Sequence, residues 1–128
     1  DAKRPGLLMV PNWMGVTESA IEKAKQVAGD DYVVLLVDMY GRGVRPANTD
    51  EAGKAAGAVY ADRAALRGRI TTALGVLQAS AGKTPLDTSD IGGIGFCFGG
   101  AVVYFGFGTL IGAFRLSDFK AALRRKKA

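Results

Sequence analysis

Three uncharged apolar runs, at residues 6–10, 32–37 and 91–96, constrain this chain more than any other feature. Each is too short to read as a helix, and each is apolar throughout rather than at alternate positions. A strand with one wet face alternates apolar and polar side chains, whereas a continuous apolar run suits a strand buried on both faces of a parallel sheet. Parallel neighbours cannot be joined by a hairpin and need a crossover, usually a helix. The intervening sequence supplies two. Thr17 can cap a helix reaching about Ala28, with Glu18 and Glu22 near its positive end and Ala20, Ile21, Ala24, Val27 and Ala28 on its apolar face. Gly29 and Asp30 end it. Residues 38–48 hold two Gly, one Pro and two Arg, and so form a loop. Thr49 or Asp50 then caps a long helical region reaching about Ser80, in which Leu66, Ile70, Leu74 and Leu77 make one buried stripe and Gly57 or Gly68 marks a break. Residues 82–89 are polar around Pro85 and read as a loop before the third run.

The order strand, helix, strand, helix, strand predicts an α/β fold of parallel βαβ units with right-handed crossovers. In such sheets the chemistry gathers at the carboxyl ends of the strands. Here those ends carry Pro11-Asn12-Trp13, Asp38-Met39-Tyr40 and Cys97.

Charge narrows the function classes. The chain carries a formal +5, but residues 115–127 hold six basic side chains against the single acid Asp118 and account for all of it. The body is neutral and has no field suited to nucleic acid. One Cys and no His exclude an intrachain disulfide framework and any His- or Cys-based metal site, and remove the usual general base. No leader of the secretory type opens the sequence, so the expected compartment is the cytoplasm.

The candidate chemistry lies in Gly95-Phe96-Cys97-Phe98-Gly99-Gly100, where a strand should end and a helix begin. Small residues two before and two after a nucleophile permit the sharp turn that pushes its side chain out of the sheet. The start of a helix favours a thiolate, and the N–H after the nucleophile can face a developing oxyanion. The competing reading of Cys97 is a buried core thiol. A dinucleotide loop does not fit, because Phe98 stands where the last glycine of that fingerprint is required and no acid follows in a second strand.

Residues 5–15, Pro-Gly-Leu-Leu-Met-Val-Pro-Asn-Trp-Met-Gly, resemble the strand and oxyanion loop of dienelactone hydrolases; residues 37–43, Val-Asp-Met-Tyr-Gly-Arg-Gly, resemble their Asp-x-Tyr-Gly strand end; and residues 95–100 resemble their nucleophile elbow. The three motifs fall in that family's order. The resemblance implies a partial α/β-hydrolase core of three parallel strands with flanking helices, an incomplete α/β/α sandwich whose first strand lies between the other two. It implies a hydrolase of small-molecule lactones or carboxylic esters with neither metal nor organic cofactor. Cys97 is then the nucleophile, and the backbone N–H groups of Trp13 and Phe98 form the oxyanion hole. Asn12 stands where several members carry a Glu that contacts the resting thiol. Arg42 and Arg45 are placed to meet an anionic substrate, and Asp38 is the nearest candidate for a base.

The resemblance covers about residues 5–103, and these are expected to form the partial hydrolase domain (residues 1–103). Residues 104–128 are an atypical tail, Gly/Phe-rich and then basic. A helix beneath the elbow is poorly continued by Phe105-Gly106-Phe107-Gly108. Two other readings stand beside the hydrolase: a non-catalytic remnant of the fold, and a membrane anchor using residues 91–114, from Ile91 to Phe114, which carry no charge and precede a basic segment. Eight glycines in those 24 residues argue against the anchor. Three apolar strands also leave two open sheet edges, and self-association through them is expected.

Overall fold

The computed structural model describes residues 2–107. Its strands are β1 (Arg4–Val10), β2 (Val33–Leu36) and β3 (Leu86–Gly95), and its helices are α1 (Glu18–Ala28), α2 (Thr49–Ala61), α3 (Arg63–Ala79) and α4 (Phe98–Val102). The strands form one sheet of order β2-β1-β3 with both pairings parallel. The first apolar run is therefore the central strand, as the family resemblance implies. Its alternating side chains serve both faces of the sheet. Leu8 and Val10 join a core with Leu66, Ile70 and Leu77 of α3, while Met9 is turned the other way, toward a hollow bordered by Ala20 and Lys23 of α1. Helices thus flank the sheet on both sides.

The two faces are unequally covered. Leu66, Ile70, Ala73 and Leu77 of α3 are buried, and Leu74 packs partly against them, so the expected stripe forms. No residue of α1 is buried, and Ile21 is 37% exposed, so the apolar face expected at Ala20, Ile21, Ala24, Val27 and Ala28 is only grazed by the sheet. The caps of α1 are as expected: Thr17 Oγ1 accepts from the Ala20 N–H at 3.1 Å, and Gly29 closes the helix at φ 45°.

The long helical region breaks at neither glycine. Asp62 ends α2 and, with its carboxylate accepting from the Ala65 N–H at 2.9 Å, caps α3. Gly57 and Gly68 lie inside the two helices with open space around them. A carboxylate that satisfies an orphan donor of a new helix outweighs the ~1 kcal/mol cost of a helical glycine, which gives the chain no reason to turn there. Asp62→Ala should lower stability by about 1 kcal/mol, measured by urea denaturation, with Asp62→Asn retaining most of it. At the other end of α2 the cap is Asn48 rather than Thr49 or Asp50. Asn48 Oδ1 accepts from the Glu51 N–H at 2.9 Å, and Glu51 reaches back to the Ala47 N–H at 2.8 Å. That reciprocal pair resembles a capping box.

The third strand is longer than its apolar run. It begins at Leu86, fully buried and paired with Arg4, and the register then jumps so that Asp87 pairs Pro5 while Ile91 pairs Gly6. Residues 88–90 bulge out, exposed. Polar side chains at a bulge need no buried place, which is why residues 86–89 read as loop. Beyond α4 the helix continues as a π-helical turn, Val103–Phe107, in which buried Gly106 sits against Leu66 and Ile70. Residues 91–95, the first part of the candidate membrane segment, are therefore a paired strand. Among the described residues no helix is long and apolar enough to cross a membrane. Residues 96–107 of that segment form the turn at Cys97, α4 and the π-helical turn, whereas residues 108–114, and most of the tail at residues 104–128, lie outside the described residues.

Candidate active site

The carboxyl ends of β1 and β3 meet at the turn that holds Cys97. It follows β3 and precedes α4, and the Phe96 N–H donates to the Val10 carbonyl at 3.3 Å, which fixes the turn to the central strand. The Gly99 N–H then donates to the Phe96 carbonyl at 2.9 Å. With Cys97 at φ 54° and ψ −115°, these four residues have the hydrogen bond and first-position angles of a type II′ turn. That position normally takes glycine, because a Cβ crowds the backbone there. Cys97 is the one non-glycine residue with positive φ among those described, and it is exposed. A core thiol would have no use for such a backbone.

The flanking glycines are required by contact. A Cβ on Gly95 would overlap the Gly99 carbonyl, and one on Gly99 would overlap the carbonyls of Val10 and Pro11. The backbone of α4 thus rests directly on the end of β1, and the Cys97 carbonyl accepts from the Gly100 and Ala101 N–H groups at 3.0 and 3.3 Å.

The loop after β1 folds on itself beside this turn. Asn12 Oδ1 accepts from the Met14 N–H at 3.0 Å, and the Asn12 carbonyl accepts from the Gly15 N–H, also at 3.0 Å. The Asn12 side chain therefore shapes its own loop. No hydrogen bond from the Trp13 or the Phe98 N–H is found among the described residues. A hollow of about 360 Å3 opens next to the loop, with Asn12, Met14, Lys23 and Phe96 on its walls. The Lys23 ammonium lies 4.8 Å from the centre of the Phe96 ring.

The Asp-x-Tyr-Gly segment proves to be a brace. Asp38 Oδ1 accepts from the N–H groups of Tyr40 and Gly41 at 3.0 and 3.1 Å, and Oδ2 pairs with Arg45 at 3.1 Å. Asp38 is thereby occupied in holding the turn, which counts against it as a base, and Arg45 is held by Asp38 and the carbonyls of Gly41 and Val44. Arg42 is exposed on the same loop. Arg69 of α3 donates to the Met39 carbonyl and ties the strand end to the helices.

Two tyrosines, Tyr40 of the Asp-x-Tyr-Gly motif and Tyr60, take places at the site that the sequence did not assign to them. Tyr40 is buried and donates from its hydroxyl to the Trp13 carbonyl at 2.7 Å, and its ring lies 5.6 Å from that of Phe98. Burial, with the neighbouring Tyr60 phenol adding to it, pushes the Tyr40 pKa up to about 12. Tyr60 of α2 packs edge-on against Phe98 at 5.3 Å. Its pKa is raised first by burial and then by the neighbouring Cys97, with Arg63 opposing. An aromatic on the apolar side of a helix reads as core, and nothing local in the sequence marks Tyr60 otherwise. Among the described residues, no group of His, Cys, Asp and Glu converges as metal ligands.

The sequence model of the dienelactone hydrolase family matches residues 1–113. The chain belongs to that family. Two solved structures of such proteins superpose on it. One is m3DLH, with a TM-score of 0.72 and 30% identity, and the other is a dienelactone hydrolase-like promiscuous phosphotriesterase from metagenomic libraries, with a TM-score of 0.70 and 30% identity. In both cases the superposition covers 82% of this chain and 42% of the other, so the chain spans less than half the length of these dienelactone hydrolase relatives. No curated protein sequence matches it.

Proposed function

We propose that this chain carries the nucleophile and oxyanion-binding part of a hydrolase for small-molecule lactones or carboxylic esters. The observation that carries the reading is the backbone of Cys97: exposed, at a strand-to-helix turn, in a conformation that glycine would adopt with less strain. Strain of that kind costs on the order of 1–3 kcal/mol and persists where a site needs it. Cys97 is the nucleophile. The N–H groups of Trp13 and Phe98 receive the oxyanion, Asn12 shapes the loop that presents the first of them, and Arg42 supplies positive charge toward an anionic substrate. The reaction calls for no metal or organic cofactor. A cytoplasmic setting, and self-association through the outer edges of β2 and β3, belong to the same proposal.

In the acylation step the Cys97 thiolate attacks the ester carbonyl carbon. The S–C bond forms, the ester C–O bond breaks, and the alcohol oxygen leaves with the electron pair and takes a proton from water. Hydrolysis of the thioester then needs activated water. The 128 residues contain no His, and Asp38 is committed to its turn. The expected result with p-nitrophenyl acetate is one acetyl group on Cys97, a single equivalent of p-nitrophenol and no steady turnover, read by intact mass and absorbance. Cys97→Ala should show none of this. Sustained turnover would reveal a base that this reading lacks, and absence of any label would refute Cys97 as nucleophile. An aryl phosphotriester is a second probe of the same thiol, given the likeness to the promiscuous phosphotriesterase.

A further inference from the structure

We infer that Tyr40 is a positioning residue that sets the two oxyanion-binding N–H groups relative to one another; the inference rests on the hydrolase reading above. The N–H groups in question belong to residues far apart in sequence, one on the loop after β1 and one at the start of α4. Tyr40 touches both residues. Its hydroxyl donates to the Trp13 carbonyl at 2.7 Å, and its ring packs on Phe98 at 5.6 Å with the planes inclined by 32°.

The other hydrogen bonds of the Trp13 loop are local. Those of Asn12 to Met14 and Gly15 shape the turn but do not say where it sits on the sheet. The tie from Tyr40 spans 27 residues and does. Tyr40 is itself well anchored, with its N–H held by Asp38, which is held in turn by Arg45, and its ring edge close against Gly15. The hydroxyl is also a dependable donor. With a pKa pushed up to about 12, it keeps its proton at any pH at which a thiol ester forms and survives.

Placement of this kind matters to one chemistry and not to another. An oxyanion hole works when its donors lie close to the position the oxygen will take, and small displacements are costly. Alkylation of a thiolate by iodoacetamide develops no oxyanion, so it reports the thiol without the hole. The test is Tyr40→Phe in the 128-residue chain, which keeps the ring on Phe98 and removes only the hydroxyl. Two rates are measured on Cys97: acetylation by p-nitrophenyl acetate, and alkylation by iodoacetamide. We expect acetylation to slow by about tenfold and alkylation to stay within about twofold, because the thiol and its turn are untouched.

Equal slowing of both reactions would mean that the hydroxyl supports the fold or the thiol, and would overturn the inference. So would acetylation at the wild-type rate. A wild-type chain that takes the carbamidomethyl group but no acetyl group overturns the hydrolase reading and this inference together, which separates that failure from failure of Tyr40 alone. Circular dichroism of the variant guards against a misfolded sample, and the unchanged alkylation rate is the same check made at the site.

Discussion

Gly99→Ala should cost about 3 kcal/mol or more, enough to leave little folded protein from a small domain. The added Cβ meets the carbonyls of Val10 and Pro11, both of them backbone on the central strand. A side chain in the way can rotate, whereas a strand carbonyl can yield only if β1 moves, and β1 is paired on both edges. Gly57→Ala is the matched control. It places the same methyl group inside α2 with nothing within 4 Å, and should stabilise by about 0.5–1 kcal/mol through helix propensity alone. Chemical denaturation of the two variants beside the wild type checks both signs. A Gly99→Ala midpoint equal to that of the wild type would mean that the contact between α4 and β1 is looser than described.

The second large effect separates stability from activity. Cys97→Gly should raise stability by about 1 kcal/mol, because glycine takes φ 54° and ψ −115° without a crowded Cβ, and this gain exceeds the added backbone freedom of the unfolded chain. The same variant should lose all acylation. Cys97→Ala loses acylation equally but keeps the Cβ, so it should gain nothing in stability. Thermal or urea unfolding of the pair isolates the backbone contribution from loss of the thiol. If Cys97→Gly proves less stable than Cys97→Ala, the turn is not strained and the observation behind the proposed function loses its force.

How much of this was open to reading in the sequence depended on range. The strands at residues 6–10 and 32–37 announced themselves because every side chain in them is apolar, a property that needs no knowledge of neighbours. Leu86 did not, because a single apolar residue after Pro85 and before four polar or charged ones carries no period; only its pairing with Arg4 makes it strand. The break between α2 and α3 was expected at Gly57 or Gly68 and falls at Asp62 for a related reason. Glycine marks a weak point in a helix, but Asp62 actively ends one helix and starts the next, and one acid beside Arg63 in an alanine-rich run looks like the wet face of a continuous helix. At the site, the turn around Cys97 was readable from glycines at fixed offsets. The role of Tyr40 was not, because its partner is 27 residues away. Tyr60 was equally hidden, since what marks it is its packing on Phe98, the residue after Cys97, rather than any local pattern.

The strand order also governs the timing of assembly. β1 is the central strand and the earliest made of the three described, yet its pairing with β3 runs from Arg4–Leu86 to Val10–Gly95. At synthesis rates of about 5–20 residues per second, roughly four to sixteen seconds separate the emergence of β1 from that of the partner for its second edge. During that interval β2 alone of the other two described strands can pair with β1, and the row of N–H and C=O groups that β3 will meet stays unpaired by it. Contacts of such long sequence separation are also the slowest to form once all the chain is present. The surface on which α4 will rest is thus made first and completed last, and a nascent chain holding an unpaired apolar strand through the interval is a natural client for a chaperone that binds extended hydrophobic segments.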